Sequence, residues 1–96
     1  MDSAIQHKEN DSRGVFLMEG DAGKISELTY IVKDEHTIII DHTETKMGYE
    51  GQGYASKLMA AAVDYARSKA IKIVPLCPFA EVQFDEHSEF SDVRAN

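Results

Sequence analysis

The sequence predicts an α+β domain: a mixed, mostly antiparallel sheet of about five strands, a central crossover helix and a short C-terminal helix. Two observations support this class. Hydrophobic residues change from a strand-like to a helical period and back along the chain. Four strand-like segments precede the long helical segment and one follows it, so the helix is expected to connect two parallel strands. With 96 residues the chain is predicted to be a single domain, 1–96, with an ordered core of about 5–90.

The first four strands are expected in the N-terminal half. A short edge strand is predicted over 5–8, and the apolar run 15–18 is predicted to form a hairpin with 25–32 through the glycine-containing turn 20–23. Segment 37–43 follows and begins with a threonine and three isoleucines. Such continuous apolarity is typical of a strand that is buried on both faces.

A helix is predicted from Tyr54, because apolar residues recur there at helical spacing. Its buried face is expected to contain Ala55, Leu58, Met59, Ala62 and Ala66. A strand over 71–76 and a short helix over 78–87 follow, with Phe79, Val82 and either Gln83 or Phe84 on the apolar face of that helix. The polar ends, 1–4 and 91–96, are expected to fray.

Charge and composition exclude several classes of partner. Ten Lys and Arg stand against 17 Asp and Glu, a net charge of −7, which argues against nucleic acid and anionic membranes and weakly favours cationic partners. No apolar run approaches the length of a membrane span, and the first three residues do not begin a signal peptide. The single cysteine, Cys77, has no internal disulfide partner, so a cytoplasmic location is expected.

A glycine turn, Gly51-Gln52-Gly53, lies between the fourth strand and the long helix. The first N–H groups of a helix lack intrahelical partners, and the helix dipole adds positive charge, so such a turn can hold a phosphate group. The alternative is an ordinary loop and helix cap. Ser56 stands where a third glycine would complete a dinucleotide-binding fingerprint, and no Gly-Lys-Ser/Thr follows.

Glu50-Gly51-Gln52-Gly53-Tyr54-Ala55 resembles the Arg/Gln-x-x-Gly-x-Gly/Ala signature of the GNAT superfamily of acetyltransferases. The segments 40–43, 73–79 and 89–92, and Phe84, also resemble a family of very small, single-domain GNAT-like proteins, with Pro-Leu-Cys-Pro-Phe as the most specific string. The resemblance extends from about residue 13 to 94. It implies the GNAT-like (acyl-CoA N-acyltransferase) fold and the transfer of an acetyl group from acetyl-CoA (acetyl-coenzyme A), as co-substrate, to an amine.

The resemblance also implies which residues bind coenzyme A. They are the residues of the turn and of the start of the helix, with one residue of the fourth strand and one of the second helix: Gly51, Gln52, Gly53, Tyr54, Ala55, Ser56, Thr43 and Phe79. Glu50 departs from the Arg or Gln of the signature, so it is expected to point to solvent, and coenzyme A affinity is expected to be modest. Lys46 and Lys57 are the nearest cations that could compensate for its charge.

Cys77 and His42 are the catalytic candidates. Pro75 has no N–H for strand pairing, so the fifth strand should diverge from the fourth and leave Cys77 at the mouth of the gap. Cys77 then accepts the acetyl group, forms a wall of the thioester pocket, or is an ordinary buried cysteine. Its position before a helix N-terminus favours a reactive thiolate.

His42 is either a general base or a histidine hydrogen-bonded within the sheet. Strand alternation predicts that Asp41 and Thr43 lie on the face opposite His42. Tyr49 and Tyr54 are candidate proton donors or packing residues. No metal site is expected, since the other three histidines are scattered without carboxylates at ligand spacing.

The acceptor is expected to be a small-molecule or protein amine, bound by a monomer or a homodimer. The chain is too short for the helices that shape the acceptor site in larger superfamily members. The alternative function is therefore a coenzyme A sensor or a protein-interaction module with little or no catalysis.

Overall fold

A computed structural model describes residues 4–95, which form a five-stranded sheet, two α-helices and a C-terminal 3₁₀ helix. The elements are β1 Ile5–Glu9, β2 Arg13–Gly20, β3 Gly23–Asp34, β4 Thr37–Thr45, α1 Tyr54–Lys69, β5 Lys72–Pro75, α2 Pro78–Glu86 and the 3₁₀ helix Ser88–Val93. The predicted order and α+β class are confirmed. No helix in the described range is long and apolar enough to cross a membrane. The predicted fraying of 1–3 and of Asn96 lies outside the described residues.

The strands lie in the sheet in chain order, β1-β2-β3-β4-β5. The first four pair antiparallel, whereas β4 and β5 are parallel from Thr37↔Lys72 to Ile40↔Pro75. The β4–β5 pairing ends at Pro75, as its missing N–H predicts. β4 continues alone on this side to Thr45, so a gap opens between the end of β4 and the residues that follow β5.

A β-bulge interrupts the pairing of β3 with β4. Thr29 pairs with His42 and Tyr30 pairs with Ile40, which leaves Asp41 as an extra residue in β4. An extra residue reverses the alternation of side chains beyond it. Asp41 and His42 therefore lie on the same face of the sheet, and the predicted placement of Asp41 opposite His42 is wrong.

Both helices pack against one face of the sheet. Ile38 and Ile40 of β4 are buried there in a single core cluster together with residues of α1 and α2. On α1, the buried residues are Leu58, Met59, Ala62, Val63 and Ala66, so the predicted face is confirmed except for Ala55, which is only half-buried. Small alanine side chains allow the helix to lie close to the sheet. Ile39 points the other way and is half-buried, so the prediction that β4 is buried on both faces is wrong.

The C-terminal segment is packed against the rest of the domain, although its polar sequence predicts fraying. Arg67 on α1 donates from Nε and Nη2 to the carboxylate of Asp92, each at 2.8 Å. Val93 is 3% exposed, so the predicted fraying of 91–95 is wrong. Within α2, Phe84 is buried but Val82 is 47% exposed, which removes Val82 from the predicted apolar face.

A polar and aromatic cluster, the β1 corner, joins the edge strand to β3 and α1. It consists of His7, Glu9, Phe16, Tyr30 and Tyr65. The Tyr30 hydroxyl donates to Glu9 Oε2 at 2.6 Å and contacts His7 Nε2 at 2.5 Å, and the Tyr65 hydroxyl donates to the same Glu9 oxygen at 2.9 Å. Because Tyr30 Oη gives its one proton to Glu9, His7 Nε2 must be the donor in their bond.

Candidate active site

The glycine turn leads directly into α1 and leaves the first turn of that helix uncapped. Gly51 and Gly53 have φ of 76° and 85°, in the left-handed region that favours glycine. Gly53 is the N-cap residue, no side chain caps the helix, and the first turn contains no acidic residue. The main-chain N–H groups at this helix end are therefore available to an anion.

A cleft of about 320 Å³ lies between the end of β4, the glycine turn and α2. All the predicted coenzyme A residues except Gln52 line it: Thr43, Gly51, Gly53, Tyr54, Ala55, Ser56 and Phe79. Gln52 instead donates from Nε2 to the Gly48 carbonyl oxygen at 3.3 Å, a contact within the turn. The tyrosine candidates, Tyr49 and Tyr54, also line the cleft and pack edge to face, with ring centres 6.1 Å apart.

The predicted charged residues differ in how they are placed relative to this cleft. Glu50 is exposed and belongs to the cleft lining, so its carboxylate lies at the rim. The Lys57 ammonium lies 5.8 Å from the centre of the Tyr54 ring, and the Lys46 ammonium donates to the Ala22 carbonyl oxygen at 3.4 Å. The cleft lining therefore includes two carboxylates, those of Glu44 and Glu50, and neither of the two lysines.

Cys77 is the residue before α2 and contacts Thr43, which lines the cleft. Its Sγ accepts the Ala80 N–H at 3.4 Å, so the thiol is the N-cap of α2. The Cys77 and Leu76 N–H groups both donate to the Ile40 carbonyl oxygen, at 3.1 and 3.0 Å. Cys77 is 7% exposed and its Sγ lies 3.9 Å from Thr43 Oγ1. The thiol therefore lies at a helix N-terminus and next to Thr43, which lines the cleft.

His42 lies on the opposite face of β4. The bulge turns Thr43 toward Cys77 and leaves the His42 ring on the uncovered side of the sheet, with Nε2 3.5 Å from Glu44 Oε1. The His42 side chain is 54% exposed. The structure therefore brings Thr43 and Cys77 together but does not bring His42 to either of them.

The uncovered side of the sheet carries polar residues that sequence reasoning missed. We call this side the open face and define it by Arg13, Glu27, Thr29, Asp41, His42 and Glu44. Burial alone would raise the pKa of Asp41, but hydrogen bonds from Arg13 at 2.9 Å and from Thr29 at 2.8 Å hold that pKa below its ordinary value. Strand alternation in β2 and β3 could have placed Arg13, Glu27 and Thr29 together, whereas the position of Asp41 depends on the bulge.

A mixed sheet whose two parallel strands diverge beside an uncapped helix N-terminus is the architecture of acyl-CoA N-acyltransferases. Residues 15–93 match the family of GCN5-related N-acetyl-transferases, which covers most of the sequence. The chain belongs to the GCN5-related N-acetyltransferase family. It is an enzyme of the acyltransferase class.

Two solved structures share the fold. The solution NMR structure of a GCN5-like protein from Staphylococcus aureus, named an N-acetyltransferase by inference, is 29% identical, with a TM-score of 0.68 over 95% of this chain and 88% of that one. The crystal structure of the ribosomal-protein-alanine N-acetyltransferase from Brucella melitensis biovar Abortus 2308 is 14% identical, with a TM-score of 0.58 over 91% of this chain and 64% of that one. The second likeness concerns the fold alone. Among curated proteins, none matches this chain significantly.

Proposed function

We propose that the chain binds acetyl-coenzyme A in the cleft between β4 and α2 and transfers the acetyl group to an amine. The observation that carries the proposal is that one cleft connects the uncapped N-terminus of α1 to Thr43, the neighbour of Cys77. A pyrophosphate at the glycine turn accepts hydrogen bonds from main-chain N–H groups, which compensates for an overall charge of −7. Phe79 and the aromatic rings of the lining supply apolar contacts.

The thioester end of the cofactor extends toward the gap between β4 and β5. The main-chain groups of β4 beyond Ile40 have no β5 partner there, so they are available to polarise an acetyl carbonyl. In direct transfer the amine nitrogen attacks the carbonyl carbon, the carbon–sulfur bond breaks, a base takes the amine proton and the coenzyme A thiolate takes a proton. In the two-step route Cys77 Sγ, after losing its proton, attacks the carbonyl carbon, and coenzyme A leaves as the protonated thiol. The amine nitrogen then attacks the acetyl-cysteine, its carbon–sulfur bond breaks, and the amine proton returns to Sγ.

Cys77 and His42 are tested as catalytic residues by following the transfer of labelled acetyl groups to a panel of small amines and lysine peptides. The two-step route predicts that Cys77→Ser and Cys77→Ala lower turnover by about a hundredfold or more, and that the wild type without acceptor shows one acetyl group on Cys77 by mass spectrometry. Undiminished turnover in both variants removes Cys77 from the mechanism. His42→Ala tests the predicted base, whose imidazole lies on the other face of the sheet from Thr43 and Cys77.

A second candidate is a coenzyme A-binding module without efficient transfer. The observation that favours it is the open face, since both described α-helices pack on the other side of the sheet and none covers this one. Calorimetric titration separates the two functions. Coenzyme A binding without transfer to any amine favours the module, and the lack of coenzyme A binding contradicts both. The amine acceptor, a small molecule or a protein, and the cytoplasmic location are part of the same proposal.

A further inference from the structure

Three side chains of the open face bring metal-binding atoms together. Glu27 of β3 and His42 and Glu44 of β4 each offer one ligand atom, and these atoms all lie within 4.8 Å of one another. Glu27 and Glu44 are directly opposite in the β3–β4 register. His42 stands two residues before Glu44 and on the same face, so two adjacent strands hold all three donors.

The pairing of Glu27 with Glu44 is electrostatically unfavourable without a cation. Like charges directly opposite on neighbouring strands repel each other. The Glu27 side chain is only 17% exposed, which reduces the solvation that would otherwise screen its charge. Lys24 partly neutralises it, with Nζ 2.6 Å from Glu27 Oε1, and its ammonium also attracts the Glu44 carboxylate. The cluster thus retains a negative charge and an imidazole nitrogen.

We propose that Glu27, His42 and Glu44 bind one divalent transition-metal ion of the Zn²⁺ class, with water completing the coordination. One imidazole and two carboxylates suit such an ion, whereas Ca²⁺ and Mg²⁺ prefer oxygen ligands alone. Ligand atoms around tetrahedral zinc are about 3.3 Å apart, given bonds of about 2 Å. The His42 and Glu44 side chains are 54% and 68% exposed, so they have room to rotate inward. A bound ion occupies the imidazole and prevents it from acting as a base.

Lys24 competes with this ion for the Glu27 carboxylate. The Lys24 side chain is 50% exposed, and water competes for a half-exposed ammonium, which weakens its ion pair. A divalent ion that also engages His42 and Glu44 therefore displaces the ammonium at low cost. Removal of Lys24 should strengthen metal binding, an effect that a nonspecific interaction with surface carboxylates would show far more weakly.

The test is a calorimetric titration of Zn²⁺ into Cys77→Ser protein without a histidine tag, because a thiol would otherwise contribute to binding. We expect one ion per chain with a dissociation constant on the order of 10 µM. His42→Ala, Glu27→Gln and Glu44→Gln should each weaken binding about tenfold or more, and Lys24→Gln should tighten it about threefold. Co²⁺ titration, followed by its visible absorption, reports the coordination directly and requires no catalytic activity.

His87 and Glu89 provide the matched control, because His87 Nδ1 lies 3.4 Å from Glu89 Oε2 and, within residues 4–95, no third ligand residue joins them. His87→Ala should leave Zn²⁺ binding unchanged. Equal weakening by His42→Ala and His87→Ala would overturn the proposal. So would the absence of saturable binding up to about 1 mM, or unaltered binding in Glu27→Gln. None of these outcomes depends on coenzyme A, so the proposed function can fail while the metal site stands.

Discussion

The β1 corner and the cleft beside β4 and α2 lie on the same face of the sheet, the face that carries the helices, but their polar groups differ. In the β1 corner, the hydroxyl of the fully buried Tyr30, a carboxylate and an imidazole satisfy one another, and two aromatic rings pack against the imidazole. In the cleft, the N-terminus of α1 has no side-chain cap, and three glycines of the connecting loop have positive φ. The corner stabilises the fold by completing its hydrogen bonds, whereas the cleft keeps donors available for a ligand.

The largest expected effect comes from Gly14→Ala, which breaks the β1 corner. A Cβ at Gly14 would lie 2.2 Å from Tyr30 Cζ, and the Tyr30 ring is held by Glu9 and His7. We expect a loss of about 2–3 kcal/mol in the free energy of unfolding, measured by urea denaturation.

Gly20→Ala is the control for this substitution. Its Cβ would lie 2.9 Å from Ile25 Cδ1, the end of a flexible side chain, so the cost should be below about 1 kcal/mol. Equal losses in the two variants would show that replacing a strand glycine is destabilising in itself, whether or not the new Cβ meets Tyr30.

The next effect is expected from Tyr30→Phe, which keeps the ring and removes the hydroxyl. Glu9 then loses one of its two tyrosine donors and His7 loses its acceptor. We expect about 1–2 kcal/mol of destabilisation by thermal or urea unfolding. Tyr65→Phe should cost less, because Tyr65 is only half-buried and its removal leaves the Tyr30 bond to Glu9 intact. A larger loss in Tyr65→Phe would contradict this account of the corner.

The cleft is tested by Glu50→Gln, which removes a carboxylate from the rim of the proposed phosphate site. We expect coenzyme A affinity to rise about two- to fivefold, since a nearby exposed charge contributes on the order of 1 kcal/mol or less. The measurement is calorimetric titration at low ionic strength, and the gain should shrink as salt is added. Glu35→Gln, at the other end of β4, should leave affinity unchanged. Weaker binding in Glu50→Gln would show that the carboxylate supports the ligand.

The smallest expected effect is a pH dependence of stability from His7. Burial lowers the pKa of His7 from its ordinary value of 6.5, and the Glu9 carboxylate opposes this only in part. The unfolded chain therefore binds the proton more readily than the folded one. Stability is fully present above pH 6.5 and falls as the pH drops through the lowered folded pKa. Melting temperatures between pH 7 and 5 should fall less steeply in His7→Gln, whereas His36→Gln should behave like the wild type.

Elements defined by periodicity were predictable from the sequence, and features defined by long-range contact were not. The α1 face follows from apolar residues at helical spacing. The glycine turn and the resemblance named most of the residues that line the cleft, whereas coenzyme A binding there stays a prediction. The 3₁₀ helix Ser88–Val93 was missed because its order depends on Arg67, which is distant in sequence. The open-face cluster was missed because Glu27 and His42 meet only through strand pairing.

Because of the bulge at Asp41, the residues of β4 that face the helices are even-numbered before the bulge and odd-numbered after it. Up to the bulge, even-numbered residues face the helices, as buried Ile38 and Ile40 show. Beyond it, odd-numbered residues do so: Thr43 contacts Cys77, and Thr45 contacts Ser26 Oγ at 2.9 Å. The face on which a β4 side chain lies therefore depends on whether the residue comes before or after the extra residue, and not on its chemistry. Deletion of Asp41 would therefore remove the bulge and leave Ile40 opposite Tyr30 and His42 opposite Thr29. If Asp41 instead paired with Thr29, the His42 imidazole and the Glu44 carboxylate would turn toward the helices in place of two threonine hydroxyl groups.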